Sequence, residues 1–202
     1  MSKGFIPKHG GYENLRAYQK ATIVYDATVY FCDRFLRYGT RTQDQMVQAA
    51  RSGKQNIAEG SMASATSKQT EIHLTNVARA SQEELLADYQ DFLRKHGSAE
   101  WPKDHPYRKR LQQLNRIPNA NYATFQQGIE HEDPTICANV IIGLVRVTCY
   151  LLDRQLAQLQ EAFLDEGGIR ERMTKARLER RAEQQQKGDK GLKGPQKPNN
   201  QE

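Results

Sequence analysis

The feature that most constrains the fold is the set of small residues on both sides of a predicted connection between two helices. It lies within residues 51–86 and extends back to Ala49 and Ala50. Ala49, Ala50 and Gly53 put small side chains on one helical face before the turn, and Ala78 lies in the helix after it. Glycine in a helix interior costs up to about 1 kcal/mol relative to alanine, so Gly53 indicates a close approach of two backbones. We therefore predict a closely packed helical hairpin on which the other long helices dock.

The turn of this hairpin is predicted directly after Gly60. Gly60 is expected to adopt the left-handed conformation that closes the last turn of a helix. Thr66 or Ser67 then follows at the right distance to cap the next helix, which continues to about Lys95.

Four polar residues are predicted to lie within or beside the packed faces: Asn56, Glu59, Arg79 and Ser81. Because buried polar groups need hydrogen-bond partners, we expect a cluster that fixes the register of the two helices. The alternative is a ligand or catalytic cleft around Glu59. No nucleophile paired with a base lies near it in the sequence, so the cluster is the favoured interpretation.

Two further long helices are predicted outside the hairpin. A first helix at residues 13–38 repeats its seam residues at alternating steps of three and four, which is typical of a bundle. These seam residues are Leu15, Tyr18, Thr22, Tyr25, Val29, Cys32 and Leu36. The last bundle helix, at residues 133–166, is the most apolar and opens with the capping pair Asp133-Pro134. The prediction is an all-α, up-down four-helix bundle with a long crossover before the fourth helix and a basic suffix helix at the C-terminus.

Composition changes divide the chain into segments. Residues 1–12 are predicted to be a flexible arm, and residues 13–166 the four-helix bundle. Residues 96–132, interrupted by proline and glycine, are predicted to be an irregular insertion with one short helix at about residues 106–115. Residues 167–186 are predicted to form the basic suffix helix, and residues 187–202 a disordered tail.

Aromatic and basic residues alternate in the insertion. The aromatic ones are Trp101, Tyr107, Tyr122 and Phe125, and the basic ones are Arg108, Lys109 and Arg110. Such interleaving suits single-stranded nucleic acid, whose bases stack on rings. The same rings could instead hold the insertion against the bundle, and this is the favoured interpretation.

The positive charge is concentrated in the C-terminal part of the chain. Residues 168–202 hold ten Lys or Arg and five Asp or Glu, whereas the other 167 residues hold twenty and nineteen. The bundle is therefore nearly neutral, and a nucleic-acid hypothesis depends on the suffix helix and on local patches.

Several classes of protein are disfavoured. There is no run of eighteen apolar residues and no secretory signal pattern, so we expect no membrane association and a cytoplasmic location. Cys32, Cys137 and Cys149 lie in apolar helical patterns without metal-ligand spacing, which favours buried free thiols. No Glu-x-x-His pair, phosphate-binding glycine loop or nucleophile elbow is present. We expect a protein that is not an enzyme, with no cofactor and no metal.

A family resemblance rests on the hairpin. The residues that carry it are Asn56-Ile57-Ala58-Glu59-Gly60, then Ser67, Glu71 and Ala80-Ser81-x-x-Glu84-Leu85. This pattern resembles the bacterial four-helix-bundle (S23-like) family encoded in intervening sequences of large-subunit ribosomal RNA genes. The segment that begins at Gly167-Gly168-Ile169 is similar to the suffix found in one subgroup. The resemblance implies a homo-oligomeric ring, commonly a pentamer. It also implies a distant similarity to the accessory variability determinant of diversity-generating retroelements, which binds nucleic acid and a reverse transcriptase.

Two functional hypotheses follow. The first is an accessory protein that binds nucleic acid, expected to be RNA. One basic patch is expected near the turn between the first two helices and comprises Arg34, Arg37, Arg41, Arg51 and Lys54. A second is expected on the suffix helix and comprises Arg170, Arg172, Lys175, Arg177, Arg180 and Arg181. The alternative is a structural or adaptor oligomer whose suffix helix docks on a protein partner.

Overall fold

The computed structural model describes residues 11–192, and within that range every regular element is a helix. A 3₁₀ turn at Tyr12–Asn14 precedes seven α-helices: α1 Arg16–Phe35, α2 Arg41–Ala63, α3 Lys68–Lys95, α4 Pro106–Asn115, α5 Tyr122–Ile129, α6 Pro134–Glu166 and α7 Ile169–Leu192. The all-α prediction is confirmed.

The long helices contact one another in a closed cycle. α1 packs against α2, α2 against α3, α3 against α6, and α6 against α1. The two short helices lie on this framework, since α4 and α5 both contact α6 and α5 also contacts α1. The insertion is therefore attached to the face that α1 and α6 share.

The centre of the core is a cluster of aromatic rings. Phe31 of α1 meets Tyr89 and Phe92 of α3 edge-on, with ring centroids 5.0 Å and 4.9 Å away. The hydroxyl of Tyr89 donates a 3.1 Å hydrogen bond to Thr28 Oγ1, and Thr28 in turn donates to the carbonyl of Val24 at 2.7 Å. Each of these buried hydroxyls therefore has a partner, as burial requires.

The hairpin turn differs from its prediction at Gly60. Gly60 is not among the glycines with positive φ, and α2 continues to Ala63. A Cβ atom at Gly60 would lie 3.3 Å from the carbonyl oxygen of Glu71 on α3. Gly60 therefore allows the two backbones to approach and does not end the helix. The turn comes later, where Ser67 caps α3 by accepting a 3.1 Å hydrogen bond from the backbone N–H of Thr70, as predicted.

Gly53 differs from its prediction, because a side chain of α3 and not its backbone lies against it. Gly53 is buried, and a Cβ atom there would collide with the side-chain amide of Gln82 on α3. Gly60 thus admits the backbone of α3, whereas Gly53, two helical turns away, admits the side chain of Gln82.

Several element boundaries differ from the predictions. α1 ends at Phe35 because Leu36 is extended, and Gly39 then adopts a φ of 71°. The insertion contains a second helix, α5, in addition to α4. α5 begins with a capping box, which the sequence could have revealed: the side chains of Asn121 and Thr124 each accept a hydrogen bond from the other residue's backbone N–H. α7 runs to Leu192, past the predicted end at residue 186; residues 1–10 of the predicted arm and 193–202 of the predicted tail lie outside the described residues.

The apolar character of α6 is explained by packing. A window of this helix is long and apolar enough to span a membrane, with a mean hydropathy of 1.8, but 61% of it is buried inside the protein. Contacts with α1, α3, α4 and α5 provide that burial. A central core helix has this same composition.

Candidate nucleic-acid interface

The polar residues of the hairpin form a chain of hydrogen bonds between α2 and α3. The hydroxyls of Ser52 and Ser81 lie 3.0 Å apart, and Ser81 also donates to the carbonyl of Val77 at 3.1 Å. Asn56 Nδ2 donates to the carbonyl and the hydroxyl of Ser52, at 2.9 Å and 3.1 Å. Asn56 and Ser81 therefore belong to one group of hydrogen bonds at the helix–helix contact, which is a structural arrangement.

Glu59 and Arg79 lie outside that group. The side chain of Glu59 is exposed. Arg79 Nε forms an ion pair with Asp153 Oδ1 between α3 and α6, and both side chains are substantially exposed. Neither these hydrogen bonds nor this ion pair encloses Glu59 in a cleft. An exposed ion pair of this kind contributes little to stability.

The basic residues expected near the first helical turn are spread over two regions. Arg34 lies in the last turn of α1, Arg37 in the link to α2 and Arg41 at the start of α2, and all three are exposed. Arg51 is also exposed, but a rise of about 1.5 Å per residue puts it roughly 15 Å further along α2. The turn itself therefore carries three of the five predicted cations.

Lys54 is engaged within the protein. Its Nζ lies 4.2 Å from the centroid of the Tyr25 ring, in a cation–π contact. Burial raises the pKa of Asp26, and the charge of Lys54 opposes that rise. A half-buried cation with these neighbours is a poorer phosphate contact than the exposed arginines.

α7 carries eight basic residues and four acidic ones. Its cations are Arg170, Arg172, Lys175, Arg177, Arg180, Arg181, Lys187 and Lys190, against the acids Glu171, Glu179, Glu183 and Asp189. Five of the predicted contacts, all except Arg172, have exposed side chains, and the side chain of Arg172 is outside those described. Met173 and Leu178 are exposed as well, so the helix does not bury an apolar face within the described part of this chain.

Three of the four predicted rings of the insertion belong to the core or pack against it: Trp101, Tyr122 and Phe125. Phe125 is buried, and Trp101 stacks on His105 with ring centroids 4.9 Å apart and planes 4° from parallel. The hydroxyl of Tyr122 donates to Glu130 Oε1 at 3.1 Å. Only Tyr107 among the four predicted rings is largely exposed, with 57% of its surface accessible. These contacts favour the interpretation that the rings hold the insertion in place.

Of the three basic residues predicted in the insertion, one is engaged within the protein and two are exposed. Arg108 Nη1 donates a 2.7 Å hydrogen bond to the carbonyl of Trp101 and lies 3.7 Å from Glu100. Lys109 and Arg110 are exposed. Arg110 also borders a cavity of about 310 Å³ between α4, α5 and α6, whose lining is mainly apolar.

The three cysteines are poor candidates for covalent chemistry, and the described residues include no cluster of potential metal ligands. Burial raises the pKa of Cys32, Cys137 and Cys149 to about 12 in each case, so these thiols are protonated and poorly nucleophilic near pH 7. Among residues 11–192 no group of three His, Cys, Asp or Glu side chains is arranged to hold a metal ion.

Sequence reasoning missed Lys20. This lysine is 6% exposed, and its position on α1, one residue before an apolar run, reads as an ordinary surface or boundary position. Its burial depends on α5, which packs against α1 from a distant part of the chain.

Comparisons of the chain with protein-family models, with curated proteins and with solved structures found no match.

Proposed function

We propose that this protein is a non-catalytic, oligomeric four-helix-bundle protein that binds RNA in an accessory role, in the cytoplasm. The proposal includes membership of the S23-like family, for which the hairpin motif at residues 56–60 is the support. The observation that carries the RNA hypothesis is α7, a helix whose described side chains are almost all exposed and whose charge is predominantly positive.

In this proposal α1, α2, α3 and α6 are the four helices of an up-down bundle. The cycle of contacts among them supports this topology. Links of a few residues, 36–40 and 64–67, join α1 to α2 and α2 to α3, and links this short favour antiparallel neighbours. Residues 96–133, which include α4 and α5, are then the crossover between the third and fourth bundle helices.

Electrostatics favours nucleic acid as the partner of α7. Basic side chains that contact phosphates release condensed counterions, so affinity falls steeply as salt rises. α7 contains no Phe or Trp and only two Leu, so it has little of the apolar face with which interfacial helices insert into lipid. An exposed cationic helix of this composition is better suited to a phosphate backbone than to a membrane surface.

The test is filter binding of generic RNA and single-stranded DNA across a salt series. The variant Arg170→Glu/Arg177→Glu/Arg180→Glu/Arg181→Glu should lose most of its affinity for RNA. Its plot of log affinity against log salt should become shallower by about 0.7 for each phosphate that the variant no longer neutralises.

A matched control replaces the same four residues by lysine, which keeps the charge and should keep the salt dependence. A chain that ends at Glu166 should behave like the glutamate variant. RNA affinity and salt dependence that do not differ between wild type and the glutamate variant would refute the assigned role of α7.

The second candidate is an adaptor oligomer that docks a protein partner through α7. Exposed apolar side chains favour it: Leu164 at the end of α6 is 82% exposed, and Met173 and Leu178 are also exposed. Under this hypothesis, Met173→Ser/Leu178→Ser abolishes binding of the partner while the arginine-to-lysine control retains it. RNA binding that survives the serine changes, with salt sensitivity intact, favours the first candidate.

A further inference from the structure

A second basic site lies far from α7 in the sequence, where the start of α1 faces the loop between α4 and α5. The cavity there has a volume of about 440 Å³, within the range of roughly 300–1,000 Å³ typical of small-molecule sites. Its lining residues include three cations, Arg16, Lys20 and Arg116, and among the described residues no Asp or Glu lines it.

Lys20 is the distinctive member of this lining. Its side chain is 6% exposed, and its Nζ has no hydrogen-bond partner among the described residues. The contact it does have is the Phe125 ring, whose centroid is 4.4 Å from Nζ. A cation–π contact offsets part of the cost of burial but satisfies none of the three N–H donors.

The ammonium group of Lys20 is nevertheless charged near neutral pH. Burial, and secondarily the neighbouring charge of Arg16, lowers its pKa to about 8. Below that pKa the protonated form predominates. A buried, protonated amine without a hydrogen-bond acceptor is costly, so the site favours an occupant that supplies one.

Asn115 provides a second unpartnered group at the same cavity. Its Nδ2 donates to the carbonyl of Leu111 at 3.0 Å, while its Oδ1 is buried without a hydrogen-bond partner among the described residues. Both atoms have almost no accessible surface, so the two side chains must turn into the cavity for an occupant to accept from Lys20 and donate to Asn115. Hydrogen phosphate does this, because it carries acceptor oxygens and a P–O–H donor.

We propose that this cavity binds a phosphate group, with Lys20 as its inner cation and Arg16 and Arg116 as its outer ones. The arginines favour an anion over a water molecule, since guanidinium groups match phosphate oxygens in charge and in geometry. The flexible stem of Lys20 allows Nζ to turn from the Phe125 ring toward the bound oxygen. The volume beyond one phosphate leaves room for a monoester such as a nucleotide, whose dianion has no P–O–H and therefore satisfies Lys20 but not Asn115.

Isothermal titration calorimetry of the full chain near pH 7 and at low ionic strength tests this site. The probes are inorganic phosphate, adenosine 5′-monophosphate and adenosine. We expect binding of the phosphate-bearing probes and none of adenosine. Binding of the monophosphate alone supports the proposal with an ester as the source, and binding of both supports a site for the phosphate group itself.

Lys20→Met keeps the length of the side chain and its contact with Phe125, and should weaken phosphate binding at least about tenfold. Arg16→Gln, at an exposed position, should also weaken phosphate binding and provides the test if Lys20→Met does not fold. Lys103→Met, at an exposed position in the segment before α4, is the matched control and should bind as wild type does.

Two results would overturn the proposal: no binding of either phosphate-bearing probe, or equal affinity in wild type and in folded Lys20→Met. The outcome is separable from that of the RNA hypothesis. The α7 glutamate variant should keep phosphate binding at Lys20, and Lys20→Met should keep the salt-sensitive RNA binding of α7. Each proposal can therefore fail without the other.

Discussion

The buried position of Gln82 is explained by the neighbouring Gly53 and not by the polarity of its own side chain. Its side chain is fully buried on α3 and occupies the space that Gly53 leaves open on α2. Neither Oε1 nor Nε2 has a hydrogen-bond partner among the described residues. The glutamine therefore contributes volume to the helix–helix contact at the cost of two unsatisfied polar atoms.

Gln82→Met tests this interpretation, because it keeps the volume and removes the polar atoms. We expect the free energy of unfolding to rise by about 1–3 kcal/mol, as measured by urea denaturation. Gln45→Met, at an exposed position on α2, is the control and should change stability by less than about 0.5 kcal/mol. A loss of stability in Gln82→Met would contradict the interpretation and indicate that the amide has a partner such as a buried water.

The three thiols predict how stability depends on alkaline pH. Burial raises the pKa of Cys32, Cys137 and Cys149 from 9.0 to about 12 in each case. The folded state therefore favours the protonated thiol, and its stability is complete below pH 9. As the pH rises from about 9 toward 12, unfolded thiols ionise and folded ones do not, so stability falls by up to about 1.4 kcal/mol per thiol per pH unit.

Urea denaturation between pH 7 and pH 10.5 measures this loss. Cys32→Ala should show a shallower fall above pH 9 than wild type, whatever its stability at pH 7. Burial also raises the pKa of Tyr89, which adds to the loss at the upper end of the range. An unchanged slope in Cys32→Ala would show that its thiol is not protected from ionisation by the fold.

At the scale of elements, the segment between α3 and α4 is held to α6 by side chains. Asn139 Oδ1 accepts a 2.7 Å hydrogen bond from the backbone N–H of Trp101, and its Nδ2 donates to the carbonyl of Ala99 at 3.3 Å. Arg146 of α6 adds a two-bond ion pair with Glu100, at 2.7 Å and 2.6 Å. These bonds replace the regular backbone ladder that the segment lacks.

Asn139→Ala should therefore destabilise the protein by about 1–3 kcal/mol, because it leaves the Trp101 N–H without its acceptor. It should also speed tryptic cleavage at Lys103, by loosening the segment around that residue. Asn76→Ala, at an exposed position on α3, is the control for both measurements. Wild-type stability and cleavage rate in Asn139→Ala would show that other contacts hold the segment.

At the scale of the whole molecule, we expect the outer face of α6 to mediate self-association. Tyr150 is 58% exposed and Leu164 82% exposed, and a separation close to four helical turns puts them on similar faces of α6. Exposed apolar side chains on the most apolar helix favour contact with another copy of the chain. The proposed oligomer would use this face.

Light scattering after size-exclusion chromatography tests the oligomer. We expect a mass that is a multiple of 23.1 kDa, the mass of one chain, and a lower mass for Tyr150→Glu/Leu164→Glu. Asp165→Lys, at an exposed position on the same helix, is the control for a change of charge alone. A wild-type mass of 23.1 kDa at micromolar concentration would refute the oligomer.

The sequence by itself determined most of the helical segments, though not α5, and where several of them begin. Ser67 caps α3, Asp133 caps α6, and the short helix Pro106–Asn115 lies where it was predicted. The physical reason is that capping, proline geometry and apolar periodicity act between residues at most a few positions apart. Such signals can be read without knowing which other helices lie nearby.

Only the tertiary structure decided which polar residues are buried and what they contact. Gly60 was predicted to end a helix, and its actual role depends on the backbone of Glu71 in the next helix. Lys20 carries no local sign of burial, because the ring that covers it, Phe125, comes from α5. Burial and pKa depend on contacts between residues distant in the chain, and helical periodicity alone does not specify those contacts.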